Sequence, residues 1–247
     1  MPKTSSKTSY PGENLPSARV SILETDGCEA DDLDAALQSL SQEELQRFRA
    51  FHFDQDRKDY AFAHALLRRT LSDLDLGTAP RDWQFAPLVS GKPAVAGRPD
   101  LDFSLTHTRG LVACAVTRKG AVGIDAETDQ RAIEVDLLMR DVCSAGERRD
   151  LATREGSDKT ARFLDFWTLK EAFLKAGGLG ITADLTAVSF TLVGDRDIAL
   201  SAPPDLARPN SSFQICRRPG QWRVALAVFG ELDARDVEMA LSANRCF

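Results

Sequence analysis

The chain has 247 residues, of which 43% are hydrophobic and 28% are charged, so it is long and apolar enough to fold around a sizeable core. Its formal net charge of −6 argues against a general nucleic-acid binder, because such proteins carry a basic surplus that neutralises phosphates. No apolar run resembles a signal peptide or could span a bilayer, and the five widely spaced cysteines without a CxxC pair indicate free thiols, so we expect a cytoplasmic protein without a membrane part.

The first half of the chain predicts a tail followed by strands and helices. Residues 1–16 are polar, and we expect a flexible tail there. Ser41 and Glu44 form a capping-box pattern, Ser followed three residues later by Glu, which marks the start of a helix. In chain order, the predicted elements are a strand at 19–23, helices at 41–51 and 56–74, and strands at 101–106 and 111–117 that form a hairpin.

The second half of the chain predicts a similar series. Gly177 and Gly178 are expected to end its last helix, because glycine readily adopts the left-handed conformation found just past helix ends. In chain order, the predicted elements are a strand at 122–127, helices at 133–151 and 160–176, and strands at 187–193, 197–201, 212–217 and 222–229. The order of elements therefore predicts an α+β fold with two similar halves, at 17–120 and 121–247, although no residue-level repeat links them.

Residues 122–127 carry two acidic side chains on one face of the predicted strand. Because alternate side chains point to opposite faces, Val122, Ile124 and Ala126 would face a core. Asp125 and Glu127 would project together from the other face, about 7 Å apart. Two such carboxylates repel each other unless a cation lies between them, and oxygen ligands favour Mg²⁺ or Mn²⁺. Taken alone, the hexamer is explained as well by an edge strand with two solvated acids.

The helix predicted at 160–176 places a charged stripe beside an apolar one. Trp167, Glu171 and Lys175 lie four residues apart and therefore share one face of the helix. The neighbouring apolar stripe, which can dock the helix to a sheet, consists of Phe166, Leu169 and Phe173. An ordinary Glu–Lys surface pair is the alternative explanation of the charged stripe.

His107 stands at the end of a predicted strand, between Thr106 and Thr108. Hydroxyl and imidazole donors at this place suit phosphate oxygens. A lone histidine in a hairpin turn more often has no ligand, so the argument for a site depends on the joint occurrence of the three segments.

Together, these segments resemble the 4'-phosphopantetheinyl transferase superfamily, and more closely its long, pseudo-dimeric branch that activates peptide and polyketide synthetases. The resemblance spans roughly residues 45–190. It depends on the segments at 91–93 (GKP), 103–108 (FSLTHT), 123–127 (GIDAE) and 167–175 (WTLKEAFLK), of which the last two are highly specific as a pair.

The resemblance implies a fold of two similar α+β halves with the active site in the cleft between them. Asp125, Glu127 and Glu171 match the acidic positions that bind Mg²⁺, or Mn²⁺ in its place, together with the pyrophosphate of coenzyme A. Lys175 matches the lysine placed near the transferring phosphate. The implied coenzyme A contacts are Thr106 and His107 at phosphates, Lys92 and Pro93 near the adenine, and, by a looser match, Arg47 and Arg49 at the 3'-phosphate.

The activity implied is transfer of the phosphopantetheine arm of coenzyme A to a serine of an apo acyl or peptidyl carrier protein, with release of 3',5'-ADP. Either Glu127 or Glu171 would be the general base, and the sequence does not choose between them. Lys175 would stabilise or protonate the departing 3',5'-ADP. A monomer is expected, because one chain supplies both halves of the cleft.

Two other functions compete with this interpretation. A catalytically silent module that binds coenzyme A or a carrier protein would keep the scaffold, but it should lose carboxylates that repel each other without a metal. A Mg²⁺-dependent phosphohydrolase would explain the acids, but not His107 together with the segment at 167–175.

Overall fold

The computed structural model of the protein describes residues 17–75, 77–180 and 184–242. The tail predicted at 1–16 lies outside these residues. No helix in the described ranges is both long and apolar enough to cross a membrane.

The described residues form an α+β fold, as predicted. The helices are α1 (Ala30–Leu37), α2 (Gln42–Ala50), α3 (Asp54–Leu74), α4 (Val135–Val142), α5 (Ala145–Ala152) and α6 (Gly156–Gly177). The strands are β1 (Ala18–Glu24), β2 (Phe85–Pro87), β3 (Pro93–Val95), β4 (Asp102–Thr108), β5 (Leu111–Thr117), β6 (Ala121–Thr128), β7 (Ser189–Leu192), β8 (Ile198–Ser201), β9 (Ser211–Arg218), β10 (Trp222–Phe229) and β11 (Met239–Leu241). β2 pairs with β3, and β7 with β8, as two small antiparallel ribbons.

The first large sheet has the strand order β11-β1-β5-β4, and α3 packs on one of its faces. β5 is antiparallel to both of its neighbours, and every one of its side chains is buried. Val112, Cys114 and Val116 pack with α3, while the alternate residues Leu111, Ala113 and Ala115 face the second sheet. Because both of its faces are covered, β5 reads as a continuous apolar run in the sequence.

The second large sheet has the order β6-β10-β9 and is antiparallel throughout. α6 covers its outer face. Its inner face packs on the first sheet through an apolar interface that includes Ile22, Ala113, Ile124 and Leu226. The layers therefore run in the order α3, first sheet, second sheet, α6.

β4 and β6 are edge strands that lie side by side where the two sheets meet. The hydroxyl of Ser104 accepts a hydrogen bond from the N–H of Ile124 at 3.0 Å, and the carboxylate of Asp102 accepts one from the N–H of Val122 at 2.7 Å. These side chains satisfy backbone donors that the edge of β6 would otherwise leave unpaired. The strand that carries the paired acids is thus fixed on both of its edges.

The helix predicted at 133–151 is two helices, α4 and α5. The hydroxyl of Ser144 accepts from the N–H of Glu147 at 3.2 Å, and the carboxylate of Glu147 accepts from the N–H of Ser144 at 2.7 Å. This capping box starts a new helix immediately after Cys143, which has extended backbone.

Four described helices and strands, α1, β2, β3 and β11, were not predicted. β11 is three residues long and pairs in parallel with β1, at the other end of the chain. A segment this short becomes a strand through its partner, so its own sequence carries little signal. As a result, residues 239–241 join the first sheet, although the predicted division assigned them to the C-terminal half.

The cysteines differ in one respect from the expectation. Cys114, Cys143 and Cys216 are free thiols. Burial raises the pKa of Cys114 and of Cys143 to about 12, so both stay protonated at neutral pH. Cys28 is disulfide-bonded, so the prediction that every cysteine is a free thiol is wrong for this residue.

Glu44 joins α2 to α3. Its carboxylate accepts hydrogen bonds from the N–H of Ser41 at 2.9 Å and from Arg68 at 2.7 Å, and it lies 2.8 Å from Nδ1 of His64. Arg68 extends the network to the carbonyl oxygen of Trp83 at 2.9 Å. Burial alone would raise the pKa of Glu44, but these hydrogen bonds outweigh burial and lower the pKa to about 2.

We predict that Glu44→Gln lowers the free energy of unfolding at pH 7 by roughly 3 kcal/mol, the amount that corresponds to the lowered pKa of the carboxyl. A carboxyl whose pKa falls on folding stabilises the protein above its unfolded pKa, and this stabilisation is lost as the pH drops toward its folded pKa. The difference between the variant and the wild type should therefore shrink as the pH falls from the ordinary value of 4.5 toward about 2. Urea unfolding followed by circular dichroism measures it.

The matched control is Glu43→Gln, which changes an exposed carboxylate in the same helical turn and should alter stability by less than about 0.5 kcal/mol. An equal effect of the two substitutions, or a Glu44 effect that does not change with pH, would contradict the assignment.

Candidate functional site

Gly123 allows α6 to lie directly against β6. A Cβ atom at this position would come 1.9 Å from the carbonyl oxygen of Ala172 and 2.4 Å from the backbone nitrogen of Ala176. Because real Cβ atoms do not approach backbone so closely, only glycine fits here. The glycine therefore sets the distance between the acids of β6 and the charged stripe of α6.

Asp125 is the buried centre of the site. Its Oδ1 lies 2.6 Å from Nζ of Lys175 and accepts a hydrogen bond from the hydroxyl of Thr106 at 3.2 Å. Lys175 also donates to the carbonyl oxygen of Ile124 at 3.2 Å. Burial raises the pKa of Asp125 above its ordinary value, although Lys175 and Thr106 act in the opposite direction. Three elements, β4, β6 and α6, thus converge on this carboxylate.

Glu127 follows on the same face of β6, as the alternation of the strand predicted. It forms an ion pair with Arg131, whose guanidinium carbon lies 5.6 Å from the ring centre of Trp167. Burial raises the pKa of Glu127, Arg131 lowers it, and the charge of Asp125 raises it again. Glu127 is therefore buried, close to a second acid and held by one cation.

Trp167, Glu171 and Lys175 form the half-exposed stripe of α6, while the predicted apolar stripe beside them is buried. Burial raises the pKa of Glu171, the charges of Asp125 and Glu127 raise it further, and Lys175 lowers it. The resemblance predicts that Asp125, Glu127 and Glu171 come together across β6 and α6, and their assignment to one metal site stays a prediction.

The three carboxylates do not form a ready-made metal cage. Among the described residues, no three His, Cys, Asp or Glu side chains converge in a way that could hold a metal ion. Asp125 is instead paired with Lys175, and Glu127 with Arg131. The donor chemistry still suits a hard divalent cation, because all three ligands are carboxylates whose mutual repulsion such a cation would relieve.

Two cavities border these acids. One has a volume of about 490 Å³ and is lined by Lys92, Pro93, Glu171 and Lys175, all of which were predicted site residues. The other has a volume of about 810 Å³, and its lining includes Glu127, Arg131, Arg218 and Trp222. Glu127 therefore borders the larger cavity, and Glu171 and Lys175 border the smaller one.

Lys92 lines the smaller cavity, but its ammonium group is already paired. Nζ lies 2.6 Å from a carboxylate oxygen of Asp102 and donates to the carbonyl oxygen of Val122 at 3.0 Å. Only 11% of the side chain is exposed. Lys92 therefore anchors the β2–β3 loop to β4 and β6, and neighbouring Pro93 is exposed at the cavity.

Thr106 and His107 do not face the same place. They are consecutive residues of β4, so Thr106 points to Asp125 while His107 points to the α3 side, where its charge affects the pKa of Asp59. The predicted contacts of the two side chains with phosphates of coenzyme A stay predictions.

Arg47 and Arg49 lie on the exposed side of α2. Arg47 packs over the ring of Tyr60, with its guanidinium carbon 5.9 Å from the ring centre. Neither arginine is among the described residues that line the two cavities beside the acids. Their assignment to a phosphate stays a prediction.

Lys170, a member of the segment at 167–175, lies in the core and not in the site. It is 1% exposed and pairs with Glu147 at 2.7 Å. Its Nζ also donates to the carbonyl oxygens of Val142, Leu185 and Val188. The sequence analysis assigned no role to this lysine. Its position between Leu169 and Ala172, on the apolar side of the helix, could have predicted that it is buried.

Arg131 and Asp102 were also missed. Arg131 pairs with Glu127 from four residues further along the chain, and Asp102 pairs with Lys92 from the neighbouring β4. The first pair could have been predicted from the sequence, because an acidic residue is followed four positions later by a basic one. The second required knowledge of which strands meet.

Comparison with known proteins gives a consistent result. Residues 121–227 match a sequence model described as the 4'-phosphopantetheinyl transferase superfamily. The chain is 31% identical over 169 residues to the 4'-phosphopantetheinyl transferase HetI of Nostoc sp., which covers 67% of this chain and 70% of that protein. It is 33% identical over 203 residues to a phosphopantetheinyl transferase of Thraustochytrium sp., which covers 76% of this chain and 70% of that protein.

Among solved structures, a holo-(acyl-carrier-protein) synthase from Bacillus anthracis in complex with coenzyme A matches with a TM-score of 0.39 and 21% identity. The match covers 46% of this chain and 98% of that one. A score this low carries no conclusion about the site.

We predict that Lys170→Met lowers the free energy of unfolding by roughly 3–5 kcal/mol, because it leaves the carboxylate of Glu147 buried without a counter-charge. The double variant Lys170→Met/Glu147→Gln should recover part of the loss. Chemical denaturation of the three proteins measures the effect.

Lys159→Met is the control on the same helix. Lys159 pairs with Asp136, whose side chain is 77% exposed. Loss of this ion pair should therefore lower the free energy of unfolding by less than about 1 kcal/mol. Full stability of Lys170→Met would show that Lys170 does not hold the core together.

Proposed function

Because this chain belongs to the 4'-phosphopantetheinyl transferase superfamily, we propose that it transfers the phosphopantetheine arm of coenzyme A to a serine of a carrier protein. The leaving product is 3',5'-ADP. The reaction is supported by the two phosphopantetheinyl transferases that this chain matches over at least two thirds of their length. The observation that carries the proposal within this chain is the convergence of Asp125, Glu171 and Lys175 at the contact of β6 with α6.

We propose that the two α+β units form a pseudo-dimer, with the active site in the cleft between them. Each large sheet carries one long helix on its outer face, α3 on the first sheet and α6 on the second. β4 of the first unit meets β6 of the second next to Asp125, through the hydroxyl of Thr106. A site at this contact would draw residues from both units.

Asp125, Glu127 and Glu171 are proposed to hold Mg²⁺, with Mn²⁺ as a substitute. Their oxygen ligands and their burial beside one another fit such a cation. When bound, the cation supplies positive charge that offsets the pyrophosphate of coenzyme A. The ion pairs with Lys175 and Arg131 would have to give way to it.

The remaining steps are assigned to side chains of this chain. A carboxylate, Glu127 or Glu171, accepts the proton of the carrier serine, whose oxygen attacks the β-phosphorus of coenzyme A. The bond from the β-phosphorus to the bridging oxygen breaks, and 3',5'-ADP leaves with the electron pair. Lys175, at the wall of the smaller cavity, stabilises the charge on this leaving group. Burial raises the pKa of Glu127 and of Glu171, which makes either carboxylate a stronger proton acceptor than an exposed one.

The smaller cavity is proposed to receive the nucleotide end of coenzyme A. Lys92 and Pro93 line it opposite Glu171 and Lys175. Because Lys92 is held by Asp102, its part would be to position the loop against the adenine, while the backbone and Pro93 make the contact. The predicted contacts of Thr106, His107, Arg47 and Arg49 with phosphates remain predictions, as do the cytoplasmic location, the monomeric state and the service of peptide and polyketide synthesis.

The test is to incubate the protein with coenzyme A, Mg²⁺ and an apo carrier protein, and then to determine the mass of the carrier. We predict a gain of one phosphopantetheine arm that disappears with EDTA. Asp125→Ala and Glu171→Ala should each reduce the rate by at least about a hundredfold, because each removes a group that acts at the reacting phosphate.

Glu231→Ala, which changes an exposed carboxylate outside the site, should transfer at the wild-type rate. Release of phosphate or nucleotide without a gain in carrier mass would contradict the proposal in favour of a phosphohydrolase. Tight binding of coenzyme A without turnover would instead indicate a silent binding module.

A further inference from the structure

Arg131 is the one arginine that reaches both β6 and α6 at the acidic cluster, among the described residues. It pairs with Glu127 and lies over Trp167, one helical turn before Glu171. Its side chain is 43% exposed, whereas that of Glu127 is 10% exposed. Arg131 also lines the larger cavity. The arginine is thus the accessible partner of a buried carboxylate.

The pairing explains why the carboxylates do not form a ready-made cage. Glu127 is buried next to Asp125, so it needs a counter-charge in the folded protein. Arg131 supplies that charge. A divalent cation shared by Asp125, Glu127 and Glu171 would take over this part, and the guanidinium of Arg131 would then lose its partner.

We propose that Arg131 is a substrate-contacting residue that exchanges partners, from the carboxylate of Glu127 to a phosphate oxygen of the bound pyrophosphate. This inference rests on the proposed function, because it assumes that the acids hold a cation together with a diphosphate ester. The arginine neutralises Glu127 before the cation and coenzyme A bind, and it binds the pyrophosphate afterwards.

The chemistry of the side chain suits both partners. A guanidinium stays charged at every physiological pH and presents a planar fork that matches carboxylate and phosphate groups alike. The face of Trp167 keeps the cation beside α6 through a cation–π contact whichever anion it binds. Because Arg131 is half exposed, turning it from one anion to the other costs little desolvation.

The test measures two affinities of Arg131→Gln separately. Electron paramagnetic resonance measures the binding of Mn²⁺ in the absence of coenzyme A. The affinity for Mn²⁺ should increase by about threefold or more, because the guanidinium that competes for Glu127 is gone. Coenzyme A binding in the presence of Mg²⁺, followed by calorimetry, should weaken by about tenfold, because one charged hydrogen-bond donor to phosphate is lost. Arg131→Lys keeps the charge but not the fork, so it should restore Mn²⁺ affinity to near wild type and coenzyme A affinity only in part.

Arg218→Gln is the matched control. Arg218 lines the same cavity, is 47% exposed and pairs with a different carboxylate, that of Glu24. The Arg218→Gln substitution removes the same charge as Arg131→Gln, but the affinities for Mn²⁺ and for coenzyme A should both stay within about twofold of wild type. Opposite shifts in Arg131→Gln alone would therefore distinguish partner exchange from a general change of charge and from a structural defect.

Unchanged affinities in Arg131→Gln, weakening of both, or shifts equal to those of Arg218→Gln would overturn the inference. The carrier-mass assay on the same wild-type preparation separates the two possible failures. Normal transfer by the wild type, together with unaltered binding by Arg131→Gln, rejects the exchange and leaves the proposed function standing.

Discussion

The contact of α6 with β6 at Gly123 is the constraint on which the candidate site depends. The absence of a Cβ atom lets the backbone of Ala172 and Ala176 approach the strand more closely than any other residue would allow. Two residues further along β6, Asp125 then comes within 2.6 Å of Lys175. A larger residue at 123 would push the helix away and separate the charges, so the glycine belongs to the chemistry although it binds nothing.

The acids in β6 and just after its end repel one another, and the fold places a separate cation beside each of them. Asp125 has Lys175, Glu127 has Arg131, and Asp129 has the buried Arg223 of β10. Arg223 also pairs with Asp165 of α6 at 2.6 Å, so it ties the sheet to the helix below the site. The side chain of Arg223 is only 2% exposed, whereas that of Arg131 is 43% exposed. The Glu127–Arg131 pair is therefore the one proposed to exchange.

The sequence predicted those features that repeat with a fixed local period. Strand alternation placed Asp125 and Glu127 on one face, and helical spacing placed Glu171 and Lys175 on another. The features it missed arise from contacts between distant segments. The Asp102 pair depends on β4 meeting β6 at an edge, and β11 depends on β1 as its partner. The opposite directions of Thr106 and His107 follow from strand alternation as well.

The central claim is that acids from β6 and α6 share one divalent cation when the substrate is bound. Diffraction from crystals grown with coenzyme A and Mn²⁺ tests it directly, because anomalous scattering locates the metal independently of the protein phases. The account predicts a single manganese position in contact with carboxylate oxygens of residues 125, 127 and 171. Manganese bound elsewhere, or carboxylates that remain directed to separate partners with substrate present, would contradict it.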